Sequence, residues 1–149
     1  MMKISARVSQ KIKDHAERDY PHECGGMLIG RFLSEGVKET VEIFPLVNAR
    51  EDSRHNRVLL LPKDVLRAEK HARERGLDVV GYYHSHPNAP AVPSQYDLDH
   101  ALPVWSYTIV SVMDGKPVAI RSWEMEEDRS KFNEEEISAF EERFVWQSQ

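Results

Sequence analysis

The chain predicts a mixed α/β (α+β) domain built on one sheet, on three observations. Apolar, β-branched runs of strand length recur along it, only a few helical patterns interrupt them, and no repeat, low-complexity stretch or internal boundary divides its 149 residues. That length suits a single domain, 1–149, able to bury a core without disulfide staples.

The elements follow in order. Ile4, Val8 and Ile12 recur every four residues, so the stretch to about Arg18 reads as an amphipathic first helix. Cys24 to Phe32 is a strand in which Gly25 and Gly26 leave room for another backbone or for substrate. Val41 to Val47 and Arg57 to Leu61 read as further strands. The polar segment between them, Asn48 to Asn56, is long enough to be expected as a mobile border of a cleft. Pro62-Lys63-Asp64 opens a second helix with Val65, Leu66, Ala68 and Ala72 on one side, and Gly76 stops it. Leu77 to His86 is a strand, and Asn88 to Pro93 a stiff loop whose prolines hold the backbone extended. Ser94 caps a short helix running through Asp97, Asp99, His100 and Ala101. Val104 to Val112 and Pro117 to Trp123 form a hairpin about the Asp114-Gly115 turn.

From Glu124 the composition changes. Seven acidic residues between Glu124 and Glu136 precede Ile137, Phe140, Phe144 and Val145 at helical spacing, with Asn133 placed to cap and Glu136 three residues on. This predicts an acidic, helical tail docked by its apolar stripe. Docking of a basic partner and a homodimer contact are the alternatives.

Composition excludes several classes. Hydrophobic content of 40% and charged content of 30% are ordinary for a globular protein, and a net charge of -5 argues against nonspecific nucleic-acid binding. No apolar stretch approaches the roughly 20 residues of a membrane span, and the first residues lack the apolar core of a secretory signal. The expectation is therefore a cytoplasmic protein with no membrane partner. The single cysteine, Cys24, fits a reducing compartment and reads as a small buried residue facing away from its neighbour Glu23.

The chemistry concentrates in His84-Ser85-His86 and Ser94-Gln95-Tyr96-Asp97. Side chains two apart on a strand share a face, so His84 and His86 converge, and the stiff loop returns the chain so that Asp97 can join them. Two imidazoles and a carboxylate are a zinc-binding set with one coordination position left open, the arrangement that makes hydroxide available at neutral pH. Asp99 or His100 could ligate in place of Asp97. Ser94 and Asp97 also match a capping box, whose purpose would be to satisfy backbone donors.

His84-Ser85-His86-Pro87, six residues, then Ser94-x-x-Asp97 resembles the signature of the JAMM (catalytic MPN) zinc metalloprotease family in its small prokaryotic form. That signature includes an upstream glutamate between the first helix and first strand, and Glu23 in Tyr20-Pro21-His22-Glu23-Cys24-Gly25-Gly26 stands in its place. The resemblance covers most of residues 4 to 123. It implies a central mixed, mostly antiparallel, curved sheet flanked by helices; one Zn2+ held by His84, His86 and Asp97; Glu23 as the base; and Ser94 as donor to the oxyanion.

The resemblance also implies a substrate. Family members cut peptide or isopeptide bonds beyond the terminal Gly-Gly of ubiquitin-like proteins, and small forms act on sulfur carriers of that fold. A compact carrier fits best, because glycines can thread a narrow cleft. The rival classes are a noncatalytic MPN scaffold, a DNA-repair relative, which reads Ser-Gly where Asn88-Ala89 stand here, and a structural metal site closed by His100 or Cys24.

Overall fold

Residues 1–47 and 60–140 are described by the computed structural model. The chain opens on strand β1 (Met2–Ser5) and turns directly into helix α1 (Ala6–Asp19). Ser5 makes that turn, its hydroxyl accepting the Val8 N–H at 3.1 Å. Ile4 is thus in a strand and not in the first helix. It satisfies the four-residue spacing because it belongs to the same buried cluster as Val8 and Ile12.

Strands β2 (Gly25–Phe32) and β3 (Lys38–Leu46), helix α2 (Pro62–Glu74), strand β4 (Asp78–Pro87) and the short helix α3 (Gln95–His100) follow. The β3 strand begins three residues before the expected Val41. The expected loop Asn48 to Asn56 and most of the expected strand Arg57 to Leu61 lie outside the described residues, and Leu60 and Leu61 are not in a strand. On α2, Ala68 and Ala72 are buried as expected, but Leu66 is 66% exposed. The hairpin of β5 (Ser106–Met113) and β6 (Lys116–Met125) turns at Asp114 (φ 50°) and Gly115 (φ 84°), the paired positive angles that a tight hairpin needs.

The tail departs from the helical expectation. Phe132–Glu135 is strand β7 and Ile137–Phe140 is strand β8, so no helix starts at Asn133; Phe144 and Val145 lie outside the described residues. Ile137 packs against the core cluster that holds Met2 and Ile4, and tertiary pairing overrides the helical spacing.

The eight strands form one mixed sheet in the order β7-β6-β5-β4-β2-β3-β1-β8. The β4·β5, β1·β3 and β1·β8 pairs are parallel and the others antiparallel. β7 and β8 sit at opposite ends of that order yet are separated in sequence only by Glu136. The two edges must therefore meet there, and the sheet bends almost into a barrel. Helix α1 touches β1, β3, β4, β5, β6 and β8, whereas α2 touches β2 and β4. No helix among the described residues is long and apolar enough to cross a membrane.

Strand β4 supplies both layers. Its register against β2 jumps from Leu28↔Gly81 to Ile29↔Val79, leaving Val80 as a bulge. Beyond it, Tyr83 joins the core under α1 while Tyr82 joins the core under α2, and His84 and His86 share the Tyr82 face.

Candidate metal centre

His84 and His86 leave β4 on one face with their Nε2 atoms 3.2 Å apart. Asp97, in the first turn of α3, lays its carboxylate across both: Oδ1 is 3.2 Å from His84 Nε2 and Oδ2 is 3.3 Å from His86 Nε2. These three are the only cluster of metal-type donors among the described residues, their ligand atoms all within 4.8 Å of one another. The edge of a tetrahedron with zinc–ligand bonds of ordinary length is about 3.3 Å, so the separations fit such an ion.

The tautomers fit it too. A carbonyl can only accept, so the 2.9 Å contact between His86 Nδ1 and Pro90 O puts a proton on Nδ1 and, in the neutral ring, turns the Nε2 lone pair toward His84 and Asp97. Two imidazole nitrogens 3.2 Å apart cannot both present lone pairs, so a proton or a metal ion lies between them. The same contacts shift the carboxyl and imidazole pKa values. Burial works to raise the Asp97 pKa, but hydrogen bonds from His84 and His86 and the Ser94 N–H outweigh it and hold the carboxyl well below the usual range. Burial works to lower His86, but the hydrogen bonds to Asp97 and to the Pro90 carbonyl raise it. Both shifts follow from the close approach of one carboxylate to two imidazoles.

The capping box and the metal cluster use the same carboxylate. Ser94 N donates to Asp97 Oδ2 at 2.8 Å, and Asp97 N donates to Ser94 Oγ at 3.2 Å. With its oxygen accepting from the backbone, the Ser94 hydroxyl keeps its own proton for a further acceptor.

The alternatives for the third position separate. His100 lines the same cleft, but its Nδ1 donates to Tyr96 O at 2.8 Å and its ring stacks on Tyr96 with centroids 4.1 Å apart. Asp99 accepts from Gln95 Nε2. Cys24 faces the opposite core, 1% exposed, as its position after Glu23 implies, and burial pushes its thiol up to about 12. Neither His100 nor Cys24 closes the cluster.

Glu23 lies just ahead of β2 and lines the cleft with Ser94, Asp97 and the two histidines. Gly25, two residues on, is the register partner of His84, so β2 puts no side chain beside that imidazole. Gly26 serves a different purpose from the one expected: a Cβ there would meet the Tyr83 ring at 2.5 Å, on the face away from the cleft. The cleft measures about 890 Å³, and aromatic residues Tyr82, Tyr96, Trp105 and Tyr107 extend it beyond the metal cluster.

The sequence hides what holds the loop before α3. Three successive carbonyls are bonded by side chains from three strands: Ala89 O by Ser111 Oγ at 2.6 Å, Pro90 O by His86, and Ala91 O by Trp123 Nε1 at 3.1 Å. At about 1 kcal/mol net for each bond, these tethers add to the stiffness of the prolines. No local signal marks Ser111 or Trp123, which are ordinary strand residues in sequence. His84 Nδ1 has no hydrogen-bond partner among the described residues, and its ring stacks instead on Tyr82, centroids 5.4 Å apart at 25°.

Comparison with known proteins supplies the family context. The family model described as prokaryotic homologs of the JAB domain matches residues 5–126. Over 92 residues, 62% of this chain, the sequence is 33% identical to a Thermus thermophilus protein named "Probable TtuB-protein conjugate cleaving protease", and the match spans 57% of that relative's length. A solved protein from Salinibacter ruber is 38% identical with a TM-score of 0.73, the match covering 93% of this chain and 91% of that one. A JAB1/MPN domain protein from Archaeoglobus fulgidus is 22% identical with a TM-score of 0.57, covering 95% and 98%, and shares the fold.

Proposed function

The chain belongs to the family of prokaryotic homologs of the JAB domain, and from that premise we propose that it is a zinc-dependent peptidase or isopeptidase acting beyond the C-terminal Gly-Gly of a ubiquitin-like or sulfur-carrier protein. His84, His86 and Asp97 hold the ion in this reading, Glu23 is the general base and Ser94 the oxyanion donor. The observation that carries it is the convergence of two Nε2 atoms and one carboxylate in a cleft that Glu23 and Ser94 also line.

Zinc held by His84, His86 and Asp97 would supply a Lewis acid able to lower the pKa of water to about 7. The residues do the rest. The Glu23 carboxylate takes a proton from the attacking water and returns it to the departing amine, which keeps both steps neutral overall. The Ser94 hydroxyl donates to the carbonyl oxygen as negative charge develops on it. The Pro90 carbonyl holds His86 in one tautomer through its Nδ1–H.

The substrate assignment is supported by the Thermus relative, named for cleaving protein conjugates. A chain end without side chains suits a cleft walled by Tyr82, Tyr96 and Trp105. The test incubates zinc-loaded protein with carrier and ubiquitin fusions and reads the products by mass spectrometry. Cleavage after Gly-Gly by the wild type and not by Glu23→Gln is expected. Intact fusions throughout, from a protein that has taken zinc, would remove the reading.

A further inference from the structure

Helix α3 carries Asp97 and has only six residues. A helix that short does not hold itself together, since one hydrogen-bonded turn scarcely repays the ordering of its residues. Its first turn is fixed by the capping box between Ser94 and Asp97. The last carbonyls of a helix have no partner within it and must find one outside.

Here they find Arg129. Its Nη1 donates to Ala101 O and its Nη2 to Asp99 O at 3.4 Å, so one planar guanidinium grips the exit of α3 at two points. A cation at a helix C-terminus is also favoured by the aligned peptide dipoles. Arg129 reaches this place from the turn between β6 and β7, where its backbone is left-handed (φ 63°) and its N–H donates to Glu126 O at 2.9 Å. The segment it grips is itself under constraint. Leu102 N donates to Tyr107 Oη at 2.7 Å, and the β-branched Val104 adopts φ 84°, a conformation that costs energy unless neighbours enforce it.

Arg129 lies outside residues 5–126, the span the family model describes. We infer that Arg129 is a positioning residue for the metal centre, a clamp on the C-terminal end of α3 that holds Asp97 against His84 and His86. The inference rests on the metal reading above. Arg129 does not touch the cluster and acts through the backbone of α3 alone.

The experiment measures zinc affinity by chelator competition, and amide hydrogen exchange of the metal-free protein, for wild type, Arg129→Ala, Arg129→Lys and Arg31→Ala. Arg31 pairs with Glu39 on the exposed end of β2 and serves as the control for losing a surface arginine. Arg129→Ala is expected to weaken zinc by about ten-fold, the usual effect of losing an outer support, and to speed exchange in α3. Arg129→Lys should recover part of the loss by keeping one cationic donor, and it also carries the test if Arg129→Ala does not fold. Arg31→Ala should bind zinc as the wild type does. Zinc affinity equal to wild type in Arg129→Ala, or an equal loss in Arg31→Ala, overturns the inference and leaves the metal reading standing. A folded wild type that takes no zinc removes the metal reading, and the inference with it.

Discussion

Asp97 caps its helix through Ser94 and faces His84 with the same carboxylate: Oδ2 accepts the Ser94 N–H at 2.8 Å while Oδ1 lies 3.2 Å from His84 Nε2. The two roles are coupled, because the cap that starts α3 also fixes the rotamer that presents the carboxylate to the histidines.

This coupling predicts a separation between two substitutions. Asp97→Asn keeps an oxygen for the Ser94 N–H but loses the charge, so zinc should weaken with little change in stability. Asp97→Ala loses both and should cost about 1 kcal/mol in addition. Zinc stoichiometry and denaturant midpoints read the two effects apart. Unchanged zinc in both Asp97→Asn and His84→Ala would end the ligand assignment.

For the proton-transfer and oxyanion roles, the expected signature is turnover lost with metal kept. Glu23→Gln should retain zinc and lose two or more orders of magnitude in rate, the scale of about 10²–10⁴ that a positioned acid–base group supplies. Ser94→Ala should slow turnover about 10²-fold or more, while Ser94→Thr, which keeps a hydroxyl, should recover much of it. A Glu23→Gln enzyme with wild-type kcat would remove Glu23 from the mechanism.

A histidine outside the metal cluster is expected to contribute to acid stability. His15 on α1 is buried, with Nδ1 2.7 Å from Tyr83 Oη and Nε2 3.3 Å from Asp19. Burial lowers its pKa from 6.5, and the Asp19 carboxylate only partly opposes this. A lowered folded value means that the unfolded chain binds the proton first as pH falls below about 6.5, so stability declines on acidification through that window. His15→Gln should lose less stability than wild type between pH 7 and pH 5, compared by urea unfolding under the same metal conditions. Parallel curves would show that His15 does not titrate on unfolding.

The parallel pairing of β4 with β5 depends on one missing side chain. A Cβ on Gly81 would stand 2.1 Å from Ser106 O, a backbone atom that cannot give way without separating the strands. Gly81→Ala should therefore destabilise by about 3 kcal/mol and weaken zinc as well, since β4 carries both histidines. Thermal unfolding and zinc titration of the same sample check both effects.

The local faces of the site are legible in the amino-acid sequence. His84 and His86 share a face because strand side chains alternate, Ser94 begins a helix because its oxygen reaches a nearby N–H, and Asp114-Gly115 turns because both tolerate positive φ. Each is fixed within a few residues of chain. Which of Asp97, Asp99 and His100 meets the histidines is not, because all three lie on one short helix and only its docking angle chooses among them.

The tertiary structure alone decided the edges and the supports. Ile4 and Ile137 carry helical spacing and Asn133 reads as a cap, yet all three lie in strands, since pairing with β3, β1 and β6 bonds their backbones and the core cluster takes in Ile4 and Ile137. Arg129, Ser111 and Trp123 act on backbone from 22 to 32 positions away in sequence, so nothing in their own neighbourhoods marks them. Chain order therefore determined the set of chemical groups and their local faces. Packing of distant strands determined which groups meet, because burial and hydrogen-bond satisfaction are conditions on the whole sheet and not on any stretch of it.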